Sequence, residues 1–210
     1  REFKYPRAVV WRPRGTLIEG ERPREEQLYV VDTYNHRVCV HAHNGTFLRA
    51  FGIRGHGRGE FYFPAAAAMS RSGAVLAVAD SLNHRIQILS AEDGECIRVI
   101  GTRGEEPGQF SYPYGVCFLR DGQGRQSLAV ADTSNHRVQL VDAATGAFEG
   151  LIGRPGEGVG EFNWPFSVAL SPDGATLAVS DSLNHRVQLF DLHGRFLRTF
   201  GAVGSRIGQF

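Results

Sequence analysis

The feature that most constrains this chain is a fourfold internal repeat. Four stretches align without gaps: Asp32–Val38 (Asp-Thr-Tyr-Asn-His-Arg-Val), Asp80–Ile86, Asp132–Val138 and Asp181–Val187. Their aspartates are 48, 52 and 49 residues apart. A second motif, Gly-x-x-Gly-x-x-x-Gly-[Glu/Gln]-Phe, runs out of phase with the first at Gly52–Phe61, Gly101–Phe110, Gly153–Phe162 and Gly201–Phe210. Three copies continue into x-aromatic-Pro, at Pro64, Pro113 and Pro165, and Glu2–Pro6 is the tail of the same motif. These boundaries divide residues 1–210 into units of approximately 3–60, 61–109, 110–161 and 162–210. A unit that recurs at this period is one supersecondary element that buries its faces against its neighbours.

Each unit holds four apolar runs of strand length, in the second unit about Ala65–Met69, Ala74–Asp80, His84–Leu89 and Glu95–Ile100. No stretch sustains a helical period, so the chain reads as all-β. In the third run Val38 and Val40, Ile86 and Ile88, Val138 and Leu140, and Val187 and Leu189 share one face. The second run is apolar on both faces (Leu128–Ala131, compare Leu177–Ser180), so both sides of its sheet must be covered. Small sheets stacked face to face meet that demand, which predicts a β-propeller of four-stranded antiparallel blades, four in this segment. Glycine precedes every fourth run (Gly45, Gly94, Gly146, Gly194), as hairpin turns with positive φ require. Arg49, Arg98 and Arg198 mark that run as the outer edge, where charge blocks edge-to-edge pairing. Proline-to-aspartate spacing is 26 residues in the first unit against 16, 19 and 16 in the others, which predicts an extended loop over Trp11–Gln27.

Composition narrows the function. A net charge of +1 and a pI near 8.0 give no overall drive toward nucleic acid or membrane. No apolar run is long enough to span a bilayer. Cys39, Cys96 and Cys117 form no CxxC pair and are odd in number, so no disulfide framework is expected and a reducing, cytoplasmic location is. The chain opens on Arg1 rather than Met, as a segment of a longer protein would.

The recurrent polar residues have architectural readings. Asp32, Asp80, Asp132 and Asp181 suit Asx-turns, the following Asn suits a left-handed position, and the Arg suits a pair with the Asp or with carbonyls of the next blade. His36, His84, His136 and His185 fall once per unit, so they spread around a rim instead of converging on a metal ion. The glycine loops lead into strands rather than helices and read as blade-to-blade crossovers, not phosphate cradles. Neither a Gly-x-Ser-x-Gly elbow nor a His-Glu-x-x-His pair is present, and no catalytic residue, metal or cofactor is expected.

Together the motifs resemble NHL repeats, named for Asn-His-Leu, with Arg in the third position of all four copies. The glycine that follows Pro-x in that pattern is Gly115 in one unit but Ala8, Ala66 and Ser167 in the others. The resemblance covers essentially the whole chain and implies a propeller. NHL propellers commonly have six blades. Similar propellers bind RNA or protein in tripartite-motif ubiquitin ligases, hold metal and do chemistry in peptide-amidating lyases, and act as sensors in bacterial receptor kinases.

Antiparallel order puts the Asp turn and the crossover at one end of every blade, and the residue after each Pro enters the innermost strand near the axis. Arg7, Tyr114 and Phe166 stand there, with Ala65. Tyr34 occupies the variable position of the first Asp turn, and Arg54, Arg103 and Arg154 border the same end with Arg58 and Arg206. Tyr5, Phe63, Tyr112 and Trp164, before each Pro, suit wedges between blades. An aromatic–arginine surface suits protein hot spots or stacking on single-stranded RNA. The expectation is a non-catalytic scaffold recognising a protein partner through this face. RNA binding and a metal-dependent lyase- or hydrolase-type propeller are the alternatives.

Overall fold

The computed structural model describes residues 2–13, 25–120 and 126–210. Among them sixteen strands form four antiparallel sheets in sequence order. The first blade is β1 (Pro6–Arg12), β2 (Gln27–Asp32), β3 (Arg37–Ala42) and β4 (Phe47–Phe51). The second is β5 (Pro64–Met69), β6 (Val75–Asp80), β7 (Arg85–Ser90) and β8 (Cys96–Ile100). The third is β9 (Pro113–Arg120), β10 (Gln126–Asp132), β11 (Arg137–Asp142) and β12 (Phe148–Ile152). The fourth is β13 (Pro165–Leu170), β14 (Thr176–Asp181), β15 (Arg186–Asp191) and β16 (Phe196–Phe200). The innermost strands pack in the order β1, β5, β9, β13 and line a central channel. This is a β-propeller arrangement. Of the extended loop expected over Trp11–Gln27, Trp11 and Arg12 close β1 and Gln27 opens β2, while residues 14–24 lie outside the described residues. No helix among the described residues is long and apolar enough to cross a membrane.

The core lies between blades, and each of the three interfaces repeats one pairing of faces. Between the second and third blades, Ala77, Ala79, Ile86, Ile88, Ile100 and Phe110 meet Val116, Leu128, Val130, Val141 and Ala143. The first and third interfaces use corresponding positions. The second strands of the two middle blades, β6 and β10, thus bury both faces, with no exposed surface on Leu128, Ala129, Val130 and Ala131, whereas β2 and β14 in the end blades keep one face partly open at Leu28, Val30, Ala178 and Ser180. Phe61, Phe110 and Phe162 each sit beneath a crossover glycine, where a built Cβ on Gly52, Gly101 or Gly153 would come within 2.5 Å of the ring. Only glycine leaves that ring room. In the fourth blade Phe200 and Phe210 stay 49% and 56% exposed, because no following blade packs on β14–β16 among these residues.

Two irregularities recur. The edge strand bulges where Val40 pairs Arg49 and His41 pairs Phe47, leaving Leu48 extra, and Ile97, Glu149 and Leu197 repeat this in the other blades. A bulge with charge beside it disrupts the outer edge as a pairing template. The innermost strand bulges just after its proline: the register skips Arg7, Ala65 and Phe166, and in β9 it skips the Tyr114–Gly115 step. Such a bulge re-aims the side chains it carries.

Candidate functional site at the crossover face

Every Asp turn is built by one carboxylate. Asp80 is fully buried; its Oδ1 accepts the Tyr62 N–H at 2.7 Å, and its Oδ2 accepts Asn83 Nδ2, Arg85 Nε and Gln87 Nε2 at 2.8, 2.7 and 3.0 Å. Asp132 and Asp181 repeat all four bonds. Asp32 repeats three, with the Cys39 thiol 4.0 Å away in place of the glutamine. The aspartates pair with the arginines, as expected, but the rest of the turn differs from the sequence reading. The carboxylates cap no turn locally; they reach N–H groups in the crossover 18 to 28 residues earlier. The asparagines are not left-handed. They donate to their Asp and to a crossover carbonyl, as Asn83 does to Gly55. The arginine donors reach the preceding crossover rather than the next blade: Arg85 bonds His56 O, Gly57 O and Glu60 O.

The left-handed residue is the histidine, at φ 55°, 55°, 54° and 50° in His36, His84, His136 and His185. Its ring then reaches the next blade. His36 Nδ1 accepts the Phe63 N–H at 3.1 Å, His84 Nδ1 that of Tyr112 at 3.2 Å, and His136 Nδ1 that of Trp164 at 3.3 Å. Accepting at Nδ1 requires a neutral ring protonated at Nε2. Burial, and then the Arg54 guanidinium, hold His36 below the usual imidazole range; burial and Arg103 do the same for His84. The residues before proline are themselves left-handed, at φ 51°, 53°, 50° and 57° in Tyr5, Phe63, Tyr112 and Trp164. Bulky residues rarely adopt this conformation. In Phe63, Tyr112 and Trp164 the histidine bond holds it, aided by ring contacts that put Phe63 4.9 Å from His36 and Tyr112 4.5 Å from His84 between centroids, while Tyr5 packs on the Tyr34 ring instead.

On this frame three of the expected site residues converge. Arg7, Tyr114 and Phe166 come from the first, third and fourth blades and line one cavity of about 380 Å³ at the channel mouth. Arg7 Cζ lies over the Tyr114 ring, 5.6 Å from its centroid, and the Tyr114 and Phe166 rings are 4.5 Å apart. The walls are Ala8, Ala65–Ala67, Val116 and Val168. Ala67, Val116 and Val168 also line the larger channel cavity of about 880 Å³ that continues from the mouth. Gly115 lets the inner strands close up, because a Cβ there would lie 2.7 Å from Ser167 Cα and 2.8 Å from Phe166 O.

The remaining site residues stand apart from the mouth. Tyr34 packs between Tyr5 and Phe63, at 4.6 and 4.9 Å. Arg54 lies over the Tyr62 ring, 5.2 Å from its centroid. Arg154 is held by Glu161 at 2.9 Å and lines a separate cavity with His136 and Pro155. Trp164 joins the aromatic row, stacked 6.4 Å from Phe166 and 39% exposed. Its position two residues before Phe166 is the one sequence signal of that role. Burial pushes the Cys117 thiol, on the channel wall, up to about 12, so it stays protonated at neutral pH.

The fold and this site define a β-propeller of repeated four-stranded blades with an aromatic–arginine mouth. No family model matches the chain, and none of the curated proteins matches it. Among solved structures, the Kuenenia stuttgartiensis hydrazine synthase is similar, with a TM-score of 0.66 and 18% identity over 95% of this chain and 49% of that one. The chain therefore spans about half the length of that protein. At this identity the likeness is one of fold alone.

Proposed function

We propose that this chain is a non-catalytic binding scaffold of the NHL-repeat type that recognises a protein partner through its crossover face. One observation carries the reading: Arg7, Tyr114 and Phe166, from three separate blades, meet around a single open cavity with apolar walls. Tyr, Trp and Arg around a desolvated pocket are the residues that dominate protein interfaces. Trp164, Tyr34 and Tyr5 extend this surface, 39%, 38% and 68% exposed.

The test pans the purified chain in parallel against a random peptide library and a random single-stranded RNA pool. The reading expects peptide binders that are lost on Tyr114→Ala with Phe166→Ala and kept on Ile97→Ala at the outer rim. Peptide binders indifferent to the double substitution would contradict it. RNA binders with a steep salt slope, lost in the same variant, would replace it with the RNA reading.

A further inference from the structure

Within the channel mouth the charge distribution is lopsided. Arg7 is the one charged side chain lining the cavity, which is otherwise alanine, valine, glycine, serine, Tyr114 and Phe166. No carboxylate lines it, and Arg7 forms no ion pair among the described residues. Its one described contact is the face of Tyr114. A guanidinium lying on a ring keeps its in-plane N–H donors free, and that fork matches a carboxylate in two parallel bonds. The other arginines of this face line no part of that cavity: Arg154 is paired with Glu161, Arg58 donates to the Cys96 and Ile97 carbonyls at the outer edge, Arg54 lies over Tyr62, and Arg103 and Arg206 stand in crossover loops away from the mouth. A backbone of phosphates needs a row of cations along its track. A single free guanidinium above an apolar cavity suits one anionic group attached to an apolar body.

We infer that the mouth takes an acidic peptide: an Asp or Glu side chain bound by Arg7, with an adjoining apolar residue seated between Tyr114, Phe166 and the alanine wall. This inference rests on the protein-partner reading and gives that partner its chemistry. At about 380 Å³ the cavity lies at the lower end of the range of small-ligand sites, roughly 300–1,000 Å³, which suits one or two side chains rather than a folded element. The apolar residue leads inward, because the walls it would meet, Ala67, Val116 and Val168, continue into the channel.

The experiment uses acetylated, amidated hexapeptides in which one position carries Asp, Glu, Asn, Gln or Lys beside Leu, Ile or Phe, titrated by fluorescence anisotropy. The Asp or Glu peptides should bind roughly ten- to a hundredfold more tightly than their Asn or Gln isosteres, as loss of a charge-assisted hydrogen bond implies. Arg7→Gln should erase that discrimination, and Arg7→Glu should turn it toward the Lys peptides, with unchanged circular dichroism in both. Asn peptides with a free C-terminus that match the amidated Asp peptides would overturn the side-chain assignment. Peptides that bind in a Tyr114- and Phe166-dependent way without acidic preference would overturn the carboxylate inference and leave the crossover-face reading standing. Failure of every peptide, beside binding of an oligouridylate, would overturn both.

Discussion

Replacing Asp80 by alanine removes the acceptor on which one blade hangs its turn, its crossover and its third strand. The carboxylate has no exposed surface and accepts four hydrogen bonds, from Tyr62 N, Asn83, Arg85 and Gln87. The Arg85 side chain is 12% exposed, so Asp80→Ala leaves a largely buried guanidinium without its counter-ion. Breaking a buried pair from one side costs about 3–5 kcal/mol. Unfolding entropy of about 2.1 cal/mol/K per residue makes each kcal/mol about 2.3 °C for a chain of 210 residues unfolding as one unit. The expected fall in Tm is therefore about 7–11 °C. Thermal unfolding followed by circular dichroism at pH 7 reads it. The control is Arg195→Ala, which removes an exposed partner of Asp191, 77% open to solvent, and should move Tm by no more than about 2 °C. If Asp80→Ala shifted Tm no more than Arg195→Ala, the carboxylate would not be the organising centre described above.

Two further outcomes follow from the same contacts. Gly115→Ala drives a methyl into the β13 backbone, so it should cost about 1–3 kcal/mol of stability and separate the Tyr114 and Phe166 rings. Calorimetry and peptide affinity should fall together, and a fully stable variant with intact binding would refute the close approach. Stability should also depend on histidine protonation. The folded pKa values of His36 and His84 lie below 6.5, so the unfolded chain binds more protons as pH drops. Their contribution is complete above pH 6.5 and is lost as pH falls through the lowered folded values, because a protonated Nδ1 no longer accepts the Phe63 or Tyr112 N–H. Tm measured from pH 7 down to about 5 should decline and should flatten in His36→Asn with His84→Asn, where asparagine tolerates the left-handed backbone. Equal slopes in both proteins would contradict this role.

The repeat alone made the blades legible. The pairs Val38/Val40 and Ile86/Ile88 point into interfaces as their alternation requires, and Gly45, Gly94, Gly146 and Gly194 take positive φ before the edge strands. Arg7, Tyr114 and Phe166 share a place after proline, and the channel mouth brings them together. The role of the histidine was not legible. Its partner is an N–H 27 or 28 residues onward in another blade, and no local spacing encodes a donor at that distance. The same holds for the aspartates, whose geometry looks like a local turn until the crossover N–H groups fold back on them. The bulge after each proline was also hidden, since one unpaired residue leaves a two-residue alternation unchanged on either side.

The most direct test of the crossover face as the recognition surface is a hydrogen-exchange footprint of the chain with and without a peptide selected on it. Protection should concentrate at the start of the innermost strands, at Arg7–Val9, Tyr114–Val116 and Phe166–Val168, with the edge strands β4, β8, β12 and β16 unchanged. Protection along those outer edges, with the channel mouth exchanging as in the free protein, would contradict the account.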